Sequence, residues 1–136
     1  IEPFNIMKTT LQGRHVLIIE DDILLGNVIE TALRREGAQV QIATDGQLGL
    51  MLFDHNQPDV VLLDLWLPFI DGWGVLEGIR KVSEVPVIII TADMDEQTKS
   101  RAKKMGASDY VTKPFSPKGL MVRIKAAVAD SAINYA

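Results

Sequence analysis

The chain has 136 residues, 47% of them hydrophobic and 24% charged, with a formal net charge of −4. That composition fits one globular domain able to bury a core, and the balance of 14 basic against 18 acidic residues argues against direct nucleic-acid binding. The absence of cysteine excludes disulfides, thiolate metal sites and cysteine nucleophiles, and no apolar run approaches the roughly 18 residues of a membrane span. No signal-peptide pattern opens the chain, so a cytoplasmic location is the expectation.

Residues 1–13 show no periodicity, with Met7 a natural start, and are read as an N-terminal tail. His15 to Ile19 is an apolar run that ends in three acids, Glu20, Asp21 and Asp22. A helical pattern follows, with Leu24, Leu25, Val28, Ile29, Ala32 and Leu33 at helix spacing and Gly37 as its stop. Ala38 to Ala43 is a short alternating strand. Asp45 is a plausible cap for a second helix over Gln47 to His55.

Val60 to Leu63 is a four-residue apolar run closed by Asp64, and Pro68 follows shortly after. Such a run reads as a strand buried on both faces of a parallel sheet. The pair Asp71-Gly72 marks a loop, and a third helix is predicted over Val75 to Lys81. Val85 to Ile90 is a fourth buried strand, ending at Thr91. A polar helix over Asp95 to Met105 is stopped by Gly106. Ser108 to Thr112 is a fifth strand that runs into Lys113-Pro114, and a last helix covers Pro117 to Ala129. The expectation is one domain over residues 14–130, with residues 131–136 as a C-terminal tail.

Strand–helix alternation of this kind predicts an α/β fold: a doubly wound, five-stranded parallel sheet of order 2-1-3-4-5 with helices on both faces. In such a sheet, ligands bind outside the carboxyl ends of the strands, at the switch point between strands one and three. The acids after the first strand, Asp64 after the third, Thr91 after the fourth and Lys113 after the fifth therefore converge on one crevice. Three carboxylates there repel one another. Two charges 4 Å apart interact by about 4 kcal/mol at an effective dielectric near 20. A hard divalent cation relieves this, and magnesium suits one or two carboxylates with waters and a phosphate oxygen. Lys113 adds a point charge and Thr91 a hydroxyl donor. Each piece alone is ordinary: a helix cap, a surface acid, a loop punctuation. Their combination, at the right ends of four strands, is not.

The sequence resembles the receiver domain of bacterial two-component response regulators. The resemblance rests on Ile18-Ile19-Glu20-Asp21-Asp22, on Asp59 to Asp64 with Leu67-Pro68 and Asp71-Gly72, on Ile89-Ile90-Thr91-Ala92, on Gly106-Ala107, and on Asp109 to Phe115. It covers roughly Gly13 to Ala129. The flavodoxin-like fold follows from it, and it implies that Asp64 accepts a phosphoryl group from a sensor histidine kinase or phosphotransfer protein. It further implies that Asp21, Asp64 and the Trp66 backbone carbonyl bind Mg2+, with Glu20 acting mostly through water. By the same resemblance, Thr91 and Lys113 contact the phosphoryl oxygens, and Thr91 and Tyr110 form the switch. Such a chain is a regulatory phosphoacceptor rather than an enzyme, although it assists its own phosphotransfer and dephosphorylation.

The segment from Tyr110 to Lys125 looks most like receivers that carry a winged-helix DNA-binding effector. Those receivers commonly dimerise through the fourth helix, fifth strand and fifth helix, and the expectation is either a single-domain receiver or one excised from a longer regulator with a DNA-binding effector, with a homodimer through that face as one option. Asp109 and Arg123 match the charged pairs of that dimer, but Gly119 stands where an acid is common and Asp130 where a base is common. Phe69 stands where members of that family commonly have glycine. Other classes fit less well. A haloacid-dehalogenase-like phosphatase needs a second acid two residues after its aspartate, where this chain has Trp66. A flavin-binding module needs a hydroxyl- and glycine-rich loop, where this chain has Glu20-Asp21-Asp22. A degenerate receiver serving only as an interaction module has no need of the full set of acceptor-site residues.

Overall fold

A computed structural model describes residues 11–93 and 95–135, with side chains through Ser131. Five strands alternate with five helices: β1 His15–Ile19, α1 Ile23–Arg35, β2 Gln39–Ala43, α2 Gly46–His55, β3 Val60–Asp64, α3 Gly72–Arg80, β4 Val87–Thr91, α4 Glu96–Lys104, β5 Asp109–Thr112 and α5 Pro117–Tyr135. The strands form one sheet in the order β2-β1-β3-β4-β5, with every neighbouring pair parallel. This is the predicted doubly wound arrangement.

Side-chain alternation along the buried strands divides the core into two layers. Val16, Ile18, Val60, Leu62, Ile88 and Ile90 pack towards α1 and α5, against Ile29, Leu33, Leu120 and Ile124. Leu17, Ile19, Val61, Leu63, Val87 and Ile89 pack towards α2, α3 and α4, against Phe53, Leu76, Ile79 and Ala102. Burial on both faces is why β3 and β4 read as continuous apolar runs rather than alternating ones.

Four helices start on an aspartate whose side chain accepts an N–H of the first turn: Asp22, Asp45, Asp71 and Asp95. The cap at Asp71 explains one difference from the sequence expectation. α3 begins at Gly72, not Val75, because Asp71 Oδ1 accepts the Gly74 N–H at 3.0 Å. Glycines are poor helix formers, so sequence pattern alone places that turn outside the helix.

The other differences lie at element ends. β4 begins at Val87; Pro86 has no N–H to give, although its carbonyl still accepts the Val61 N–H at 2.9 Å. α5 continues to Tyr135, into the segment read as a C-terminal tail, since neither Gly nor Pro interrupts residues 120–135. At the other end, Leu11 is fully buried in the α1–α5 layer, and a turn closed by the Arg14 N–H on its carbonyl at 2.9 Å holds it there. Residues 1–10 of the expected N-terminal tail lie outside the described residues. Among the described residues, no helix is long and apolar enough to cross a membrane.

Candidate functional site

The carboxyl ends of β1, β3, β4 and β5 bring the predicted residues to one edge of the sheet. The register sets their heights. Ile19 lies opposite Leu63 and Ile90 opposite Asp64, so Glu20 and Asp64 end at one level and Thr91 one residue further on.

The three acids after β1 have three different fates. Glu20 is fully buried; its N–H still bonds to the Ala43 carbonyl at 2.9 Å, and its Oε2 accepts the Asp22 N–H at 3.1 Å. Asp21 is exposed. Asp22 caps α1, accepting the Leu25 N–H on Oδ1 at 3.1 Å. Asp64, the last residue of β3, is only 4% exposed. One of its oxygens, Oδ1, accepts the Trp66 N–H at 3.0 Å. The other, Oδ2, accepts from Lys113 Nζ at 3.1 Å.

Lys113 Nζ also lies 2.7 Å from Glu20 Oε1, so one ammonium bridges two buried carboxylates. Burial works against the charge on Lys113, but its pairing with Glu20 and Asp64 outweighs that and holds its pKa above the ordinary value. One cation is not enough for the acids. Burial, and then the Asp64 carboxyl beside it, push Glu20 up to about 7, against the lowering pull of Lys113 and the Asp22 N–H.

The site's composition fits a metal. Glu20, Asp21 and Asp64 each offer a carboxylate oxygen, and these atoms lie within 4.8 Å of one another. An all-oxygen donor set with excess negative charge suits a hard divalent cation. The third predicted donor group, Trp66, stands beside Asp64 through its N–H, and the residue is 58% exposed.

Thr91 is fully buried at the end of β4, and its Oγ1 accepts the Asp93 N–H at 3.4 Å. Its carbonyl accepts the Lys113 N–H at 2.8 Å, which ties the β4 end to the residue that bridges the acids. Tyr110 stands on β5, 36% exposed, with Lys99 Nζ over its ring at 5.4 Å. Asp109 and Arg123 pair within the chain at 2.8 Å.

Two features go beyond the sequence reading. Phe69 has φ 68°, in the left-handed region, and its ring is 88% exposed. The one sign of this in the sequence is the resemblance, which leads to the expectation of glycine at this place. Arg101 of α4 stacks over the ring of Trp73 at the start of α3, 4.2 Å from its centroid. No local pattern marks that pair, since the two residues sit on separate elements.

Comparison with known proteins agrees with this geometry. The family model for the response regulator receiver domain matches residues 16–125. A probable transcriptional regulator ycf27 from Guillardia theta is 46% identical over 111 residues, covering 82% of this chain and 44% of that protein. A second, from Galdieria sulphuraria, is 42% identical over 119 residues, covering 88% of this chain and 47% of that one. The chain thus spans about half the length of the curated relatives it matches. Among solved structures, the receiver domain of the Francisella response regulator 1452 superposes with a TM-score of 0.83 at 32% identity, covering 88% of this chain and 99% of that one. A putative response regulator from Chloroflexus aurantiacus gives 0.81 at 32% identity, covering 87% and 99%. The five-stranded sheet, the acid cluster at its switch point and these matches together place the chain in the response regulator receiver domain family.

Proposed function

We propose that this chain is the phosphoryl-accepting switch of a two-component phosphorelay, with Asp64 as the acceptor. One observation carries the proposal. Asp64 ends the central strand, nearly buried, inside the carboxylate cluster and in contact with a lysine from β5. The donor is a phosphohistidine on a sensor kinase or phosphotransfer protein. An Asp64 oxygen attacks phosphorus as the phosphorus–nitrogen bond breaks, and the imidazole keeps that electron pair. Such a transfer asks a protein for positioning and charge neutralisation rather than covalent chemistry.

The roles of the other residues follow from charge. Asp21, Asp64 and the Trp66 carbonyl would hold Mg2+, with Glu20 acting on it mostly through water. The metal supplies positive charge for the equatorial phosphoryl oxygens. Lys113, already on Asp64, moves to a phosphoryl oxygen, and the Thr91 hydroxyl donates to another. The acid site assists its own phosphorylation and hydrolysis, and the chain is otherwise regulatory rather than an enzyme.

Readout lies on the face formed by α4, β5 and α5. Phosphorylation replaces about one negative charge with two and adds acceptors. Thr91 is drawn towards them, and Tyr110 turns inward into the space it leaves. The family relatives are named as probable transcriptional regulators, which supports a DNA-binding effector joined to this receiver in a cytoplasmic regulator. A homodimer through the same face would first open the internal Asp109–Arg123 pair.

The test is intact mass after incubation with magnesium and acetyl phosphate. The parent chain should gain one phosphoryl group and Asp64→Asn none. Full labelling of Asp64→Asn would remove Asp64 as the acceptor.

A further inference from the structure

The fourth helix is lightly anchored. Its sequence, Glu96 to Lys104, buries only Ala102. A helix this polar gains little from packing, and short helices are marginal without it. Its carboxyl end is well fixed. Ala107 N–H bonds to the Ala102 carbonyl at 2.9 Å, Met105 and Ala107 pack on the core, and Arg80 Nε donates to the Gly106 carbonyl at 2.9 Å. Its amino end is capped by Asp95, whose Oδ1 accepts the Thr98 N–H at 2.8 Å. The firmer attachment of the helix is therefore at its carboxyl end, beside Gly106.

Besides the buried Ala102, two contacts of this helix among the described residues are cations over aromatic rings: Lys99 over Tyr110 and Arg101 over Trp73. The second reaches the acid site by a short rigid path. Trp73 follows Gly72, whose N–H bonds to the Leu65 carbonyl at 2.9 Å. A Cβ at Gly72 would collide with the backbone of Asp64 and Leu65, so the start of α3 rests directly on the peptide that carries Asp64.

We propose that Arg101 is a positioning residue that latches α4 to Trp73, and through Gly72 to the backbone of Asp64. It sets the resting position of the fourth helix by a route separate from Thr91 and Tyr110. The part played by this latch in signalling rests on the function proposed above. Its existence in the resting chain does not.

Hydrogen exchange on the whole chain tests both. Without phosphate, Arg101→Met keeps the side-chain stem and Trp73→Leu keeps an apolar side chain, but each removes the stack. Each should speed exchange of the α4 amides about two- to fivefold, the range of an exposed cation–π contact, and leave α1 unchanged. Arg101→Lys and Trp73→Phe retain a cation and a ring, and should restore most of the protection. All four variants should still take a phosphoryl group from acetyl phosphate, since none touches the acid cluster. Unchanged α4 exchange in Arg101→Met overturns the latch, as does equal loosening of α1, which marks general destabilisation. Magnesium with beryllofluoride, a mimic of the aspartyl phosphate, separates the two ideas. If it leaves α4 exchange unchanged in the parent while Arg101→Met speeds it, the latch stands and the proposed readout face fails.

Discussion

Lys113 Nζ and Asp64 Oδ2 lie 3.1 Å apart, although 49 positions separate the two residues in the chain. The parallel sheet makes this contact possible, because β3 and β5 flank β4 and all three run the same way. A buried ion pair is a poor source of net stability, since desolvation consumes most of the Coulombic gain. Its value here is positional: it holds a mobile cation on the oxygen proposed to accept the phosphoryl group.

The metal-free chain should lose stability as pH rises through neutrality. Glu20 is raised from 4.5 to about 7 on folding, so the native state binds more protons than the unfolded state between those values. Stability from this group is full below its unfolded pKa and is lost as pH rises through the folded one. Lys113 is raised from 10.5, so its own contribution persists throughout that window. At 1.36 kcal/mol per pKa unit the loss is on the order of 3 kcal/mol. Urea denaturation in EDTA at pH 5 and pH 8 reads it. Glu20→Gln, neutral at both, should match the parent at pH 5 and exceed it at pH 8; equal pH dependence of the two proteins would clear Glu20.

Magnesium should change tryptophan emission through Trp66, which stands next to the acid cluster. The titration is best run in Trp73→Phe, which leaves Trp66 as the single indole. Asp21→Asn removes an exposed carboxylate without disturbing the core, and should weaken the response by at least about tenfold. An identical binding curve would take Asp21 out of the ligand set.

Phe69 occupies a left-handed backbone conformation while its ring packs on almost nothing. An L-residue there costs roughly 1–2 kcal/mol, partly offset in a glycine by greater unfolded-state freedom. Phe69→Gly should therefore leave stability unchanged or raise it by up to about 1 kcal/mol. Phe69→Val, with a branched Cβ at the same φ, should be the least stable of the three. Thermal unfolding ranks them, and a clear loss in Phe69→Gly would mean that the ring makes a contact of its own.

Thr91 should be needed for the switch but not for phosphorylation. Moving a two-state balance from 1:99 to 99:1 takes about 5.5 kcal/mol, and charge-assisted hydrogen bonds are worth roughly 1.5–3 kcal/mol each. A phosphoryl group held by metal, Lys113 and Thr91 is within that range. Thr91→Ala keeps the acceptor and the acid cluster, so it should still label with acetyl phosphate. It should lose most of the beryllofluoride-induced change in hydrogen exchange over α4, β5 and α5. A full response in Thr91→Ala would rule out its hydroxyl as the link.

The sequence by itself determined the sheet and its order. Val60 to Leu63 and Val87 to Ile90 are apolar on both faces, which only a sheet covered on both sides satisfies, and the βα alternation leaves few topologies. It also located Glu20, Asp21, Asp64, Thr91 and Lys113 at one edge, because in a parallel sheet every strand-end residue arrives at the same side. What it left open was settled by neighbours distant in the chain. Glu20, Asp21 and Asp22 are adjacent acids, and nothing local says that one is buried on Lys113, one is exposed and one caps a helix. Leu11 reads as tail until Leu33 and Val128 are seen in the same core cluster, and Arg101 as a surface charge until Trp73 lies beneath it. Periodicity records only what each residue must bury. Which partner it meets depends on how separate elements pack, and that exists only in the folded chain.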